Sequence, residues 1–251
     1  MKRRLYSCLA IGLLLAVWQL SVVLFKLPDY ALPSPCAVAR GLFELASSGT
    51  LLKAVVASLF RVTWGYYLAA AAAIPLGMLM ALSRPFAQAL NPLIQFLRPI
   101  SPLAWIPLSL IWFGIGDRPA IFLIFLSCFF PMVVFTMSGV MSIRPTFLRV
   151  ADNFALTRFE KYLKIILPAA LPEIVTGLRI TLGTAWLVIV AAEMIAVKSG
   201  LGYIIIDARN SLRMDYVVAA MIVIGAIGIG LDTLMRRLER LPQVVWKQRE
   251  R

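Results

Sequence analysis

Histidine is absent from the 251 residues, and with it go Ser-His-Asp and Cys-His nucleophilic machinery and every His-ligated metal site. Cysteine is scarce. Cys8, Cys36 and Cys128 are an odd number, two of them inside apolar runs where a thiol behaves as a small hydrophobe, so neither a disulfide framework nor a metal site is implied. Charged residues make up 15% of the chain, against about 25% in an ordinary soluble domain. Carboxylates paired at reactive spacing are missing as well, which argues against a membrane-embedded enzyme.

Apolar residues fill the space that charge leaves. They reach 61%, against roughly 45–50% in soluble domains, and they gather into runs of about 20. That is the length needed to cross a hydrocarbon core about 30 Å thick at about 1.5 Å per helical residue. Lipid offers no partner to a bare backbone amide or carbonyl, so helices are the economical reading of these runs. The expected fold is all-α, a polytopic membrane protein with about six transmembrane helices in a single domain covering residues 1–251. The spans are expected near about 5–25, 54–82, 88–113, 119–138, 172–197 and 217–235. The first run, Leu5 to Phe25, follows the basic start Lys2, Arg3 and Arg4 and lacks a small-x-small cleavage site, so it reads as an uncleaved span.

Several stretches carry more than hydropathy. The second run, "VVASLFRVTWGYYLAAAAAIPLGMLMAL", is crowded with Ala and Gly, which let helix backbones approach closely, so it is expected at the centre of the bundle. Val38 to Leu45 is weakly amphipathic and reads as a short helix lying on the surface. In "RPISPLAWIP", Pro99, Pro102 and Pro107 are expected to break or kink the third span. Broken helices expose backbone that usually faces a cavity, which makes this segment the sequence's best pointer to a pathway, with a kink used only for packing as the rival reading. Glu193 is expected to partner a nearby Arg or a backbone donor, and the glycines of "SGLGYII", from Ser199, suggest an external re-entrant piece.

The net charge of +13 would suggest nucleic acid in a soluble protein, but no basic stripe is interleaved with exposed aromatics. Lys and Arg instead divide unequally between the loops. Fifteen fall on the side of the N-terminus and seven on the other, with Arg61, Arg98 and Arg179 near or inside spans. By the positive-inside rule both termini are expected to be cytoplasmic.

The longest loop, about 142–171, then falls on the cytoplasmic side. Phe147, Leu148, Val150, Ala151, Phe154 and Ala155 follow helical spacing, while Arg149, Asp152, Asn153 and Arg158 take other faces. A second short run, Phe159 to Ile166, is expected to end at a break at Pro168. Two short amphipathic helices must bury their apolar faces either on the bilayer surface or in the groove of a partner.

The segment "ADNFALTRFEKYLKIILPAALPEIVTGLRI" resembles the EAA loop of the inner-membrane permeases of binding-protein-dependent ABC importers. That pattern is Glu-Ala-Ala, three residues, Gly, nine residues, Ile-x-Leu-Pro. Ile165, Leu167 and Pro168 match its tail, Ala155 stands where the family has Gly, and Arg149, Val150 and Ala151 stand at the Glu-Ala-Ala positions. Alanine reaches the left-handed region less cheaply than glycine, so the turn between the two short helices is expected to be shaped differently. With "LRPISPLAWIPLSLIWFGIGDRPAIFLIF", "LPEIVTGLRITLGTAWLVIVAAEM" and "SGLGYII", the chain is similar over roughly residues 30–236 to the group of these permeases handling nitrate, sulfonates and taurine.

The resemblance implies a type I ABC importer permease in the bacterial cytoplasmic membrane. It implies a homodimer that couples to two cytoplasmic ABC ATPase subunits and receives substrate from an external binding protein. Phe147, Arg149, Val150, Ala151, Phe154, Ala155, Leu156, Arg158, Ile165, Leu167 and Pro168 would then make the coupling surface. ATP and magnesium would belong to the ATPase, since this chain has no Gly-x-x-x-x-Gly-Lys-Ser/Thr loop. Guanidinium donors suit sulfonate and nitrate oxygens, so Arg98 and Arg179, with Ser101 and Trp105, are the candidates for a substrate path. Snorkelling or bracing of the bundle is the alternative for both arginines. The same architecture carrying bicarbonate or a pyrimidine vitamin precursor, or acting as an ATP-independent channel or carrier, stays open.

Overall fold

Small residues decide which helices form the centre. In the computed structural model, which describes residues 2–26 and 28–239, the helix α3 (Thr50–Leu82) meets α6 (Asp117–Met141) at two glycines. A Cβ on Gly65 would lie 2.7 Å from the Ile124 Cβ, and one on Gly77 would lie 2.7 Å from the Val133 carbonyl oxygen. The order of these contacts makes α3 and α6 parallel. α6 packs in turn against α9 (Leu167–Ala196), running the opposite way, where Gly177 meets Phe135 and Gly139 meets Ala170. Without a hydrophobic drive between helices in lipid, such close backbone approach is what holds them together, by dispersion. The second run of the sequence is therefore central, as its Ala and Gly content predicts.

The other elements surround this trio. α1 (Lys2–Leu24) has 23 residues and leads to α2 (Pro35–Ser47), which starts with Ser34 accepting from the Ala37 N–H. α2 lies against the start of α11 (Met214–Glu239), with Gly41 beside Asp215 and Tyr216. α11 covers α9, where the Trp186 indole donates to the Ile224 carbonyl at 3.0 Å. All described elements are helical or irregular, with no strand among the described residues.

Four helical stretches are long and apolar enough to cross a membrane: Thr50–Leu82, Asp117–Met141, Phe159–Ala196 and Met214–Glu239. A bent pair makes a fifth, and the described apolar part of α1, Gly12–Leu24, is shorter. The expected third span is not straight. α4 (Arg84–Leu97) meets a 3₁₀ turn (Pro102–Trp105) that continues as α5 (Ile106–Phe113), the two halves being bent by 87°. Ser101 precedes Pro102 and is extended, with φ −56° and ψ 130°, because the proline ring crowds a helical residue before it. Pro107 lies in the first turn of α5, where no amide is needed.

The expected fifth span also differs. Pro168 does not end a helix: α8 (Arg158–Lys161) runs through a π turn (Tyr162–Ile166) straight into α9. The Leu167 amide bonds to the Tyr162 carbonyl five residues back. A helix-interior proline ordinarily strikes the carbonyl four residues before it, here Lys164, and the wider π turn contains that residue. "SGLGYII" likewise begins a regular helix, α10 (Leu201–Asn210), whose Leu201 is buried.

Candidate functional site

α7 (Pro145–Asn153) and α8 form an outcrop at one end of the bundle, beyond the ends of α3 and α6. Its shape is set by local bonds. Ala155 adopts the left-handed conformation, φ +50°, despite its side chain. Its N–H bonds to the Asp152 carbonyl at 2.9 Å, and the Leu156 N–H bonds to the Ala151 carbonyl at 3.2 Å. These are the two bonds of a Schellman C-cap, made here without glycine. Thr157 then opens α8 with a capping box, its N–H donating to Glu160 Oε2 at 3.0 Å while its Oγ1 accepts from the Glu160 N–H at 3.3 Å. Lys161 is ion-paired to Asp152, tying α8 to α7.

The residues implied as a coupling surface divide between two environments. Phe154 is 76% exposed and Phe159 70%, and Phe147, Arg149, Ala155 and Pro168 are also exposed. Ala151 is buried, while Leu156, Ile165 and Leu167 are half-buried. Leu167 packs with Met78, Val140, Ile166, Ala170 and Ile174, so it holds the outcrop to α3, α6 and α9. The side chains of Val150 and Arg158 lie outside the described residues.

A second feature is a cavity of about 660 Å³ between α4 and α6, lined by Asn91, Gln95, Arg98, Pro99, Val134, Met137, Ser138 and Met141. Arg98 is thus the path candidate that borders it. Ser101 caps the 3₁₀ turn, accepting from the Leu103 N–H at 3.3 Å, and Trp105 is half-buried against the core. Arg179 is turned elsewhere, its Nη1 3.1 Å from Glu239 Oε2 on α11. Asn91 and Gln95 went unnoticed in the sequence, although with Arg98 they form an i, i+4, i+7 polar face on α4 that helical spacing alone reveals.

A third feature is a buried ionic cluster centred on Arg61, 2% exposed. Its Nε donates to Asp117 Oδ1 at 2.7 Å, and its Nη1 donates to Glu193 Oε1 at 2.6 Å and to the Ser199 carbonyl at 2.9 Å. Nη2 donates to Ser199 Oγ. Glu193, fully buried, also accepts from Ser58 Oγ at 2.8 Å and from the Gly202 N–H at 3.0 Å. Glu193 therefore has both the arginine and the backbone donor expected for it. Arg61 gave no comparable signal, because an isolated arginine in an apolar run does not reveal its partners.

At the same end, Glu44 of α2 accepts from the Tyr216 hydroxyl at 2.8 Å and from Arg213 Nη2 at 2.9 Å. The Tyr216 hydrogen bond, and then the Arg213 guanidinium, hold its carboxyl below the ordinary value of 4.5.

Comparison with known proteins places these features in context. Residues 73–242 match the family described as binding-protein-dependent transport system inner membrane component. The taurine transport system permease protein of Escherichia coli is 38% identical over 235 residues, 92% of this chain and 86% of that protein. A nitrate import permease protein of Leptolyngbya laminosa is 38% identical over 243 residues, 93% and 86% of the two chains. A structure of the MetNI methionine ABC transporter in an inward-facing conformation aligns with a TM-score of 0.62 at 18% identity, covering 76% of this chain and 97% of that one. At that identity the likeness concerns the fold.

Proposed function

The chain belongs to the binding-protein-dependent transport system inner membrane components, and from that premise we propose that it forms the translocation path of an ATP-driven importer for a small oxyanion such as taurine, another alkanesulfonate or nitrate. It is the membrane permease of an ABC importer. In the proposed assembly two copies pair, each engages one cytoplasmic ATPase subunit, and an external binding protein delivers the substrate. ATP and magnesium are bound by the ATPase, and both termini of this chain face the cytoplasm.

The observation that carries the reading is the outcrop of α7 and α8. Phe154 and Phe159 stand exposed on a turn whose conformation is fixed by a Schellman pair, a capping box and an ion pair. A rigid apolar knob with a charged rim suits a partner's groove, and Arg149 and Lys164 supply rim charge. The knob joins α9 without a break, so force applied to it reaches the bundle through the π turn. In the cavity, Arg98 offers a forked cation and Asn91 and Gln95 offer amide donors, the groups that sulfonate and nitrate oxygens accept from. Substrate and transport state must be coupled by differential affinity, and these donors on one wall of α4 are placed to change partners when α4 moves.

The test is ATP hydrolysis by the permease assembled with its ATPase subunits in lipid, challenged with binding proteins loaded with taurine, an alkanesulfonate, nitrate, bicarbonate or a pyrimidine. Stimulation by a sulfonate- or nitrate-loaded protein is expected. Stimulation by bicarbonate or the pyrimidine alone, or by none of the panel, overturns the substrate class.

A further inference from the structure

The Arg61 cluster is expensive to build. Removing a carboxylate and a guanidinium from water costs several kcal/mol each, and well-packed apolar side chains usually serve stability as well or better. Ionisable side chains at membrane depth call for a functional explanation for the same reason. The cluster's connectivity supplies one. A single guanidinium on α3 reaches the first residue of α6, the last turn of α9, and Ser199 in the turn leading to α10. Ser58, one turn away on α3, closes the circuit by donating to Glu193 and accepting from the Leu201 N–H at 3.0 Å. Two turns at the same end, the one before Asp117 and the one at Ser199, are thereby pinned to one helix. That end is opposite the outcrop, because α6 runs from Asp117 away to Met141 and on into α7.

The two arms of the cluster are unequal. The Glu193 arm is sealed: the carboxylate is fully buried, held by Arg61, Ser58 and Gly202, and a Cβ on Gly200, whose φ is +106°, would collide with it. The Asp117 arm is open. Asp117 is 52% exposed, its described bond is the one to Arg61, and it borders a cavity of about 490 Å³ that Lys53 and Ser199 also line. Water in that cavity can replace the guanidinium at Asp117, whereas the fully buried Glu193 is closed to it.

We propose that Arg61 is a positioning residue of the transport cycle, its bond to Glu193 permanent and its bond to Asp117 released when the end of the bundle opposite the coupling outcrop opens. The idea rests on the importer reading. α3, α9 and the start of α10 then move together, and the start of α6 is the part that parts from them. Lysine does not substitute at this position, since an ammonium has three donors on a single nitrogen and the four bonds of Arg61 leave from three nitrogens spread over a planar fork.

The experiment uses the permease–ATPase complex in lipid nanodiscs, with spin labels at Leu52 on α3 and Arg118 at the start of α6, both exposed. Distances are measured without nucleotide and with ATP and vanadate. The wild type is expected to show two distances, one per state. Asp117→Asn is expected to raise the share of the longer distance relative to the shorter roughly fivefold without nucleotide, with basal ATPase raised in step, the population shift that loss of one charged bond on a part-exposed pair brings. Its thermal unfolding should match the wild type, which a purely structural role would not allow alongside the ATPase change. Asp117→Glu is expected to restore both distances, and Arg61→Lys to behave like Asp117→Asn. A single wild-type distance in both states, or an Asp117→Asn variant with wild-type distances and basal rate, overturns the proposal. Failure of the importer reading is separate: it appears as wild-type uptake that continues when the ATPase subunits are absent.

Discussion

Ala155 occupies a conformation that costs an L-residue with a Cβ roughly 1–2 kcal/mol more than it costs glycine. The Schellman bonds from Ala155 and Leu156 and the capping box that follows them offset that cost. Ala155→Gly is therefore expected to stabilise the turn by about 1 kcal/mol, less whatever the unfolded chain gains in freedom. Slower hydrogen exchange across 152–158 in the assembled complex checks it, and faster exchange would mean that the left-handed conformation carries no strain. Glu44 makes a prediction of different kind. Its folded pKa is lowered, so its contribution to docking α2 on α11 is fully present above the unfolded value of 4.5 and is lost as pH falls through the lower, folded value. Hydrogen exchange of α2 should stay slow at neutral pH and quicken only below 4.5, and Glu44→Gln should remove that acid dependence.

Among the elements, the α3–α6 contact and the outcrop make opposite demands. At Gly65 the Ile121 carbonyl oxygen stands 2.8 Å and the Ile124 Cβ 2.7 Å from where a Cβ would be, so the two helices cannot accept a side chain there without separating. Gly65→Val is expected to cost about 1–3 kcal/mol, the usual range for overpacking, read as a lower midpoint in detergent unfolding. The outcrop is expected to tolerate change in stability terms and not in function. Phe154→Asp places a charge on an exposed ring position, so insertion and folding should survive while transport and binding-protein-stimulated ATP hydrolysis fall to near background. Normal uptake in that variant would remove α7 and α8 from the coupling role.

At the scale of the molecule, the two arginines proposed together from sequence part company. Arg98→Ala is expected to lower uptake about tenfold or more with assembly intact, as loss of a charge-assisted donor from the proposed path would bring. Arg179→Ala should instead weaken the α9–α11 contact through Glu239, lowering the unfolding midpoint with little change in apparent affinity for substrate. Substrate-dependent uptake measured beside thermal unfolding separates the two.

What the sequence by itself determined is whatever depends on neighbours along the chain. Apolar runs marked the spans because hydrocarbon thickness is fixed, Ala and Gly marked α3 as central because close approach needs small side chains, and the prolines around Arg98 marked the break because a proline ring disfavours a helical residue before it, as at Ser101. The short helices of the 142–171 loop were legible through their spacing. The passage of α8 into α9 was not, since a π turn costs too little to leave a mark in composition and proline alone argues for a stop. Only the tertiary structure decided which polar groups meet. Arg61 and Glu193 are 132 positions apart and find each other because α3 and α9 are brought together by the glycines between α3, α6 and α9. A buried charge is paired by whatever the packing presents to it, and no local pattern records that partner.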